Sequence, residues 1–211
     1  MEKLFSLIAV FAILLVFCFT ASGQTRKDPL EKTKGLLINI HGTGNLFNAS
    51  NGSTTPGVGL GAKLGIAFKR FSLYTQINAS TLNTRRFSGE YEENELAYSE
   101  WKLIGAQYYF RSNNPSLIPY AEAALSLTYF TSPKGRNTFL TGFGGVGPSV
   151  GGGLKYFFGQ QHTVAVDLGL NLTYGFYGDV DTISHPNGTN MNSFNAQLTV
   201  GFSLYPLNSL F

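Results

Sequence analysis

Residues 57–80 read GVGLGAKLGIAFKRFSLYTQINAS, two runs in which apolar side chains alternate with small or polar ones. In the first run every second residue from Val58 to Phe68 is apolar, and the residues between are glycine, alanine or lysine. After Lys69 and Arg70 the alternation resumes and continues to Ser80. A period of two over this length predicts two long strands joined by a tight turn.

The charges of this predicted hairpin are few, and they lie on the glycine-rich face rather than on the apolar face. In a soluble sandwich the apolar face packs inward, and charged side chains cover the outer face. An uncharged apolar face opposite a polar, glycine-rich face is instead typical of a sheet that meets lipid on one side and lines a lumen on the other. A soluble, lipocalin-like barrel would need a more charged outer face.

The composition agrees with a membrane sheet. The chain has 211 residues, enough for one domain, and 13% of them are charged, against about 25% in soluble domains. Aromatic residues make up 14% and the mean hydropathy is +0.02, because half of each alternating strand is apolar and half is polar. The formal charge of +3 is too small and too scattered to indicate nucleic acid binding.

The N-terminus has the organisation of a secretory signal. Lys3 precedes an apolar run from Leu4 to Phe19, and small residues follow, which predicts a signal peptide over residues 1–23. A membrane anchor is the alternative, although the run is short for a span. Cys18, the only cysteine, lies inside this run, so we expect no disulfide, thiol chemistry or cysteine-based metal site in the mature chain. Residues 24–34 are polar, and we expect a flexible periplasmic segment.

The alternation extends over the rest of the chain and predicts eight strands in a barrel domain over residues 35–206, followed by a tail at 207–211. Long loops are predicted at 44–56, 81–95, 132–142 and 177–192, and short turns at 69–70, 111–117 and 159–162. Trp101 and Leu103 do not follow the alternation that places Ile104 on the outer face, which predicts a bulge in the fourth strand. In the sixth strand, Pro148 suggests another bulge or a strand rim. An even number of antiparallel strands can close, which leaves no edge in lipid, with both termini periplasmic.

Aromatic residues gather near both ends of the predicted strands, which indicates two interfacial girdles. Near the short turns they are Phe68, Phe71, Tyr108, Phe110, Tyr156 and Phe158; near the long loops they are Trp101, Tyr129, Phe130, Tyr174, Phe176 and Phe194. The glycine run from Gly142 to Gly153 lacks the lysine and the helix of a nucleotide-binding loop. We expect inward glycines to make room for large neighbours such as Tyr74 and Tyr120.

With its signal peptide, strand number, loop asymmetry and girdles, the chain resembles the small eight-stranded outer-membrane barrels of the OmpA/OmpX-like family. The resemblance rests on pattern over nearly all of the mature chain. It implies an all-β, eight-stranded antiparallel up-and-down transmembrane barrel in a bacterial outer membrane, in contact with lipid and lipopolysaccharide. It also implies insertion by the barrel-assembly machinery, which reads a C-terminal Phe in the family. Here residues 206–210 separate Phe211 from the last strand, and 201–205 are the alternative signal.

Four charged residues fall on inward phases of the predicted strands: Lys63, Glu122, Lys155 and Asp167. An eight-stranded barrel is just wide enough for side chains to fill its interior, and a charge buried there must be paired. Lys155 lies on the strand between those of Glu122 and Asp167 and could reach either. We expect an ion-pair cluster that plugs the lumen. The alternatives are a gate in a narrow pore and a pair of catalytic carboxylates.

The second long loop holds a basic pair and an acidic cluster: Arg85, Arg86, Glu90, Glu92, Glu93 and Glu95. They are candidates for binding a partner, a cation or lipopolysaccharide, and a solvated charge run is the alternative. The histidines His41, His162 and His185 show no pairing with serine on an outward face, as a lipid-modifying enzyme would require. The sequence therefore favours a non-enzymatic scaffold that displays four extracellular loops for surface interaction, adhesion or envelope integrity, without metal or cofactor. A narrow gated pore is the second hypothesis and a lipid A-modifying enzyme the third.

Overall fold

The computed structural model describes residues 30, 33–49, 54–82, 96–131, 143–158, 163–177, 179–180, 189–190 and 192–206. The predicted signal peptide, Cys18, the tail at 207–211 and the charged residues of the second loop lie outside these ranges. Within them, no helix has both the length and the apolar character needed to cross a bilayer.

Eight long antiparallel strands close into one barrel, which confirms the predicted fold class. Around the barrel they follow one another in chain order, and the first pairs with the last to close the circle, from Ile38 opposite Leu204 to Ala49 opposite Ser193. The strands are β1 Gly35–Ala49, β2 Thr54–Phe68, β3 Phe71–Leu82, β4 Leu96–Tyr109, β5 Leu117–Thr131, β6 Phe143–Phe158, β7 Val164–Gly175 and β10 Ser193–Leu204. Two further strands, β8 Asp179–Val180 and β9 Thr189–Asn190, form a small separate hairpin inside the predicted fourth loop.

The barrel is apolar outside and polar inside, as the alternation predicts. Large apolar side chains such as Leu60, Ile104 and Phe202 are more than 60% exposed on the outer wall. Asn, Gln, Ser, Thr and charged side chains are buried on the inner wall. This is the reverse of a soluble barrel, and only a lipid surrounding makes such an exterior favourable.

The connections define two rims of the barrel. We call the rim that carries connections 50–53, 83–95, 132–142 and 176–192 the loop rim, and the rim with 69–70, 110–116 and 159–163 the turn rim. The predicted first long loop, 44–56, is wrong, because strands β1 and β2 continue through most of it. Asn45 pairs with Gly57 and Phe47 with Thr55. The polar residues that suggest a loop in this range lie mostly on strands, because the lumen side of a barrel strand carries polar side chains.

The predicted bulge in β4 is confirmed, and the suggestion of a bulge at Pro148 is wrong. Between Lys102 and Ile104 the register of β4 shifts against both β3 and β5, so that Leu103 is an extra residue. Pro148 lies on the outer wall of β6 opposite Leu125, and the β5–β6 register is continuous there. Because proline has no N–H, the strand ladder lacks one hydrogen bond at this position, although the register is unchanged.

The aromatic girdles are present with one exception. On the turn rim, exposed rings pair with each other: Phe68 with Phe71, Tyr108 with Phe110, and Tyr156 with Phe158. On the loop rim Trp101, Tyr129, Tyr174 and Phe176 are exposed, and Phe194 is half-buried. Phe130, predicted to be part of this girdle, is instead fully buried, because it lies on the inward phase of β5 and packs against Phe47 and Tyr98.

Apolar and aromatic side chains form a cluster near each end of the lumen. The turn-rim cap is a cluster of buried residues, which are Leu30, Leu37, Ala67, Tyr109, Ile118, Tyr120, Phe157, Ala165 and Tyr205. The loop-rim cap consists of the rings of Phe47, Tyr98, Phe130 and Tyr177, whose centroids lie 5.0–6.0 Å apart in neighbouring pairs. The polar part of the lumen therefore lies between two apolar layers.

Two residues before β1, Leu30 and Thr33, pack at the turn rim, although they belong to the segment 24–34 that is expected to be flexible. Leu30 is 1% exposed within the cap. The Thr33 hydroxyl is directed at two carbonyl oxygens, 2.9 Å from that of Leu30 and 2.6 Å from that of Lys69 in the β2–β3 turn. The polar composition of residues 24–34 does not indicate this packing, because the packing depends on only two residues, Leu30 and Thr33.

Replacing Leu30 with Ala should destabilise the barrel by about 2–5 kcal/mol, the range for a leucine removed from a packed core. Urea unfolding in vesicles, followed by the heat-dependent mobility of the barrel in a gel, measures the change. Leu64→Ala is the control, because Leu64 is 53% exposed on the outer wall and its loss leaves no internal cavity. Equal destabilisation by the two substitutions would contradict a packed role for Leu30.

Candidate functional site

Six charged side chains lie between the two caps, and we call them the lumen charge layer: Lys63, Glu100, Lys102, Glu122, Lys155 and Asp167. None is more than 6% exposed. The structure brings the four predicted residues into this layer as two separate ion pairs, and adds Glu100 and Lys102, which the sequence reading did not include.

The first group is centred on Glu122 of β5. Lys63 of β2 and Lys102 of β4 each place Nζ 3.0 Å from a different Glu122 oxygen. The Gln107 amide donates a third bond, of 2.7 Å, to the carboxylate. Two lysines and an amide therefore satisfy one buried carboxylate, the condition under which a buried charge is tolerated.

The second group is centred on Asp167 of β7. Lys155 lies directly opposite it in the β6–β7 register and forms an ion pair with Oδ2. Tyr120 donates to Oδ1 over 2.8 Å, and Ser203 donates to Oδ2 over 3.0 Å. Of the two partners open to Lys155 from the sequence, the structure thus selects Asp167.

Two tyrosine rings support the lysines, and glycines make room for the rings as expected. Lys63 Nζ lies 4.3 Å from the centroid of the Tyr74 ring, and Lys155 Nζ lies 5.0 Å from that of Tyr120. A Cβ atom at Gly105 would stand 2.3 Å from Cζ of Tyr74, and one at Gly153 would stand 2.7 Å from that of Tyr120. Only glycine lets each ring lie flat against the barrel wall, where its face attracts the ammonium group.

Glu100 is held by hydrogen bonds in place of an ion pair. Its oxygens accept bonds from Ser126 Oγ at 3.0 Å, Thr173 Oγ1 at 2.7 Å and Asn78 Nδ2 at 3.2 Å. Three neutral donors therefore occupy the oxygens of this buried carboxylate. Asn78 in turn connects Glu100 to the rest of the layer.

His41 joins the two halves of this network. Its Nε2 lies 2.8 Å from Asn78 Oδ1, and its Nδ1 lies 2.6 Å from Asn39 Oδ1. Asn39 Nδ2 donates to Asp167 over 3.3 Å. A continuous series of polar contacts therefore runs from Glu100 through His41 to Asp167, across four strands. His41 lies on the inner wall, whereas His162 and His185 lie outside the described residues.

The bulge in β4 explains why sequence reasoning missed Glu100 and Lys102. Before Leu103 the even-numbered residues Glu100 and Lys102 point inward; after it the odd-numbered residues Gly105 and Gln107 do. If one inward–outward alternation is assumed along the whole of β4, the inward residues on one side of Leu103 are wrongly assigned to the outer wall. The extra residue is held from outside by Thr75, which donates to the Lys102 carbonyl over 3.0 Å and accepts from Trp101 Nε1 over 3.0 Å.

Two tyrosines of the caps, Tyr177 at the loop rim and Tyr205 at the turn rim, lie just beyond the ends of the membrane strands. Tyr177 packs against Phe130 with ring centroids 5.4 Å apart, and burial raises the pKa of its hydroxyl to about 12. Tyr205, just after β10, is also buried, and burial raises the pKa of its hydroxyl well above the ordinary value. Both caps therefore stay uncharged across the neutral range.

The arrangement stabilises buried charge. The carboxylates of the layer are saturated with donors and are covered from both ends by the caps. Among the described residues, no three His, Cys, Asp or Glu side chains are grouped as metal ligands. The candidate loop residues Arg85, Arg86, Glu90, Glu92, Glu93 and Glu95 lie outside the described ranges.

Several crystal structures resemble this barrel. Neisserial surface protein A (NspA) matches with a TM-score of 0.62 at 17% identity, over 81% of this chain and 97% of that one. The N-terminal barrel domain of Pseudomonas aeruginosa OprF matches with a TM-score of 0.48 at 17% identity, over 81% and 99%. The attachment invasion locus protein Ail of Yersinia pestis matches with a TM-score of 0.49 at 12% identity, over 81% and 98%. No protein-family model and no curated protein matches the sequence.

The closed eight-stranded topology, the lipid-facing exterior and the likeness to NspA define the class. The protein is a transmembrane β-barrel of the bacterial outer-membrane type. Its interior is a paired charge layer between two apolar caps.

Replacing Glu122 with Gln should destabilise the barrel by about 3–5 kcal/mol, because Lys63 and Lys102 then remain buried without a carboxylate. Urea unfolding in vesicles measures the loss. Glu100→Gln is the matched control, since Glu100 is equally buried but is held by hydroxyl and amide donors. A loss as large in the control would show that burial, and not the lysines, decides the effect.

Proposed function

We propose that the protein is a non-enzymatic scaffold of the outer membrane, with a lumen closed by its ion pairs and with loops displayed at the cell surface. In this proposal the turn rim and both termini face the periplasm, and the loop rim faces outward. The loops then serve surface interaction, adhesion or envelope integrity, and the barrel holds them in place.

The observation that carries the proposal is the layered interior. A water-filled pore needs charged side chains in contact with solvent, whereas Lys102, Lys155 and Glu100 are 0% exposed. Apolar caps lie above and below them. Eight strands leave an interior that side chains can fill, and here the carboxylates are bonded to lysines, hydroxyls and amides from neighbouring strands. The interior thus supports a closed lumen better than a gated pore.

The loop candidates belong to the same proposal. We expect Arg85 and Arg86, or the acidic group Glu90, Glu92, Glu93 and Glu95, to contribute to binding an extracellular partner, a cation or lipopolysaccharide. Loops on a rigid scaffold are where binding residues concentrate. Replacing both arginines with Ala should weaken retention on a lipopolysaccharide-coated surface if the basic pair binds phosphate, and should leave it unchanged if the pair is only solvated.

Single-channel recording in planar bilayers tests the closed lumen. We expect the folded wild-type barrel to show no discrete conductance steps, because no solvated path crosses the charge layer. The heat-dependent gel mobility of the same preparation establishes that it is folded.

The variant Lys155→Met decides the alternative. Discrete steps in the wild type whose size or frequency changes in Lys155→Met would support a narrow pore gated by the lumen charges, and the scaffold proposal would be abandoned. Val166→Met is the control for the substitution itself, since Val166 lies on the outer wall of β7 beside Asp167.

A further inference from the structure

The charged side chains outside the lumen are divided unequally between the two rims. In the ranges that the structure describes, the basic residues outside the lumen all lie at the turn rim, and they are Lys34, Lys69, Arg70 and Arg111. The one carboxylate outside the lumen in the same ranges is that of Asp179, in the small hairpin at the loop rim. Cations therefore gather at the turn rim, where the described residues supply no carboxylate.

Arg70 and Arg111 lie on adjacent strand ends at this rim. The backbone N–H of Tyr109, near the end of β4, donates to the Arg70 carbonyl over 2.7 Å, and Arg111 follows Tyr109 by two residues. Lys69 is the other residue of the β2–β3 turn, and the Thr33 hydroxyl donates to its carbonyl over 2.6 Å. The backbone that carries the three cations is thus held by hydrogen bonds from neighbouring segments.

Both guanidinium groups are exposed and can receive a ligand. Arg70 and Arg111 are exposed, and neither side chain forms a hydrogen bond or an ion pair in the part of the chain that the structure describes. Each lysine of the lumen charge layer, in contrast, has a carboxylate partner. A guanidinium group presents five N–H donors in a planar fork that matches the oxygens of a phosphate. Two such forks at one point of the rim can bind one phosphate together.

The aromatic girdle places these cations at the level of lipid headgroups. Phe68 and Phe71, whose stacked rings lie 5.0 Å apart, flank the turn of residues 69–70, and Arg111 directly follows the exposed Phe110. Aromatic rings of such girdles lie at the interface between membrane and water. Basic side chains that begin just beyond the rings reach the phosphates of the same leaflet.

We propose that Arg70 and Arg111, with Lys69 beside them, bind the phosphate of an anionic phospholipid headgroup, the class to which phosphatidylglycerol belongs. A zwitterionic lipid carries a cationic group that offsets its phosphate, whereas an anionic lipid brings a net negative charge to a positive rim. The selection is made by headgroup charge and not by the acyl chains. The site depends neither on which rim faces outward nor on whether the lumen is closed.

Solution NMR of the isotope-labelled barrel in uncharged maltoside micelles tests the site. Short-chain phosphatidylglycerol is titrated in, and the backbone amides of residues 69–71 and 109–112 are followed. We expect saturable shifts at these amides, with a dissociation constant about tenfold lower than that for short-chain phosphatidylcholine, a difference of about 1.4 kcal/mol. Inorganic phosphate is a third titrant, which supplies the anion without a lipid.

The double variant Arg70→Gln with Arg111→Gln should weaken phosphatidylglycerol binding by about tenfold, to the level of phosphatidylcholine. Arg111→Gln alone should weaken it by an intermediate factor, and it keeps the test decisive if the double variant does not fold. The matched control is Lys134→Gln with Arg136→Gln, which removes two positive charges from the connection 132–142 on the loop rim. The control should keep the wild-type response, and heat-dependent gel mobility shows which variants are folded.

Equal affinity for phosphatidylcholine, or shifts that persist in the folded arginine variants, would overturn the proposal. Inorganic phosphate that binds as tightly as phosphatidylglycerol would show a site for soluble phosphate and would refute the assignment to a lipid. An equal loss in the Lys134→Gln, Arg136→Gln control would show that net charge alone governs binding, which also contradicts a site at Arg70 and Arg111. Failure of the closed-lumen proposal appears instead as conductance steps, with the turn-rim shifts unchanged.

Discussion

The structure depends on pairing charges that are buried inside the barrel. Burying an isolated ammonium or carboxylate is unfavourable by several kcal/mol, and attraction within a pair offsets this only if the geometry is good and the remaining polar atoms are bonded. Glu122 meets the condition with two lysines, Asp167 with one lysine and hydroxyl donors, and Glu100 with three neutral donors. The glycine positions, the tyrosine rings and the strand register all help to meet this condition, because each of them determines where the ammonium group of a lysine can lie.

The exterior and the interior impose opposite demands on the same strands. Lipid requires every second side chain to be apolar, whereas the paired layer requires specific polar residues at specific depths. Strand β4 reconciles the two by inserting Leu103, which brings both Lys102 and Gly105 inward although they are three residues apart. Lys102 reaches Glu122 and Tyr74 lies against Gly105 as a result, so one irregularity supports both the ion pair and the ring that Lys63 contacts.

The period of two was sufficient to predict the closed barrel, its eight long strands and the inward position of Lys63, Glu122, Lys155 and Asp167. It predicted the bulge in β4 but did not place Glu100 and Lys102 inward, because the change of phase has to be applied to every residue before Leu103. Nor could it show that Phe130 is buried inside the barrel, since an aromatic residue near a strand end suits a girdle equally well. Composition failed at β1, where Asn45 and Thr43 resemble loop residues but pair across the lumen, and at Leu30, whose packing depends on contacts distant in the chain.

The turn-rim cap joins the two ends of the barrel sequence. Leu30 precedes the first strand and Tyr205 follows the last, and both lie in one apolar cluster. That cluster is complete only when β1 is paired with β10. Packing of Leu30 within it therefore stabilises the pairing of the first strand with the last, because these two strands cannot separate without exposing the cluster.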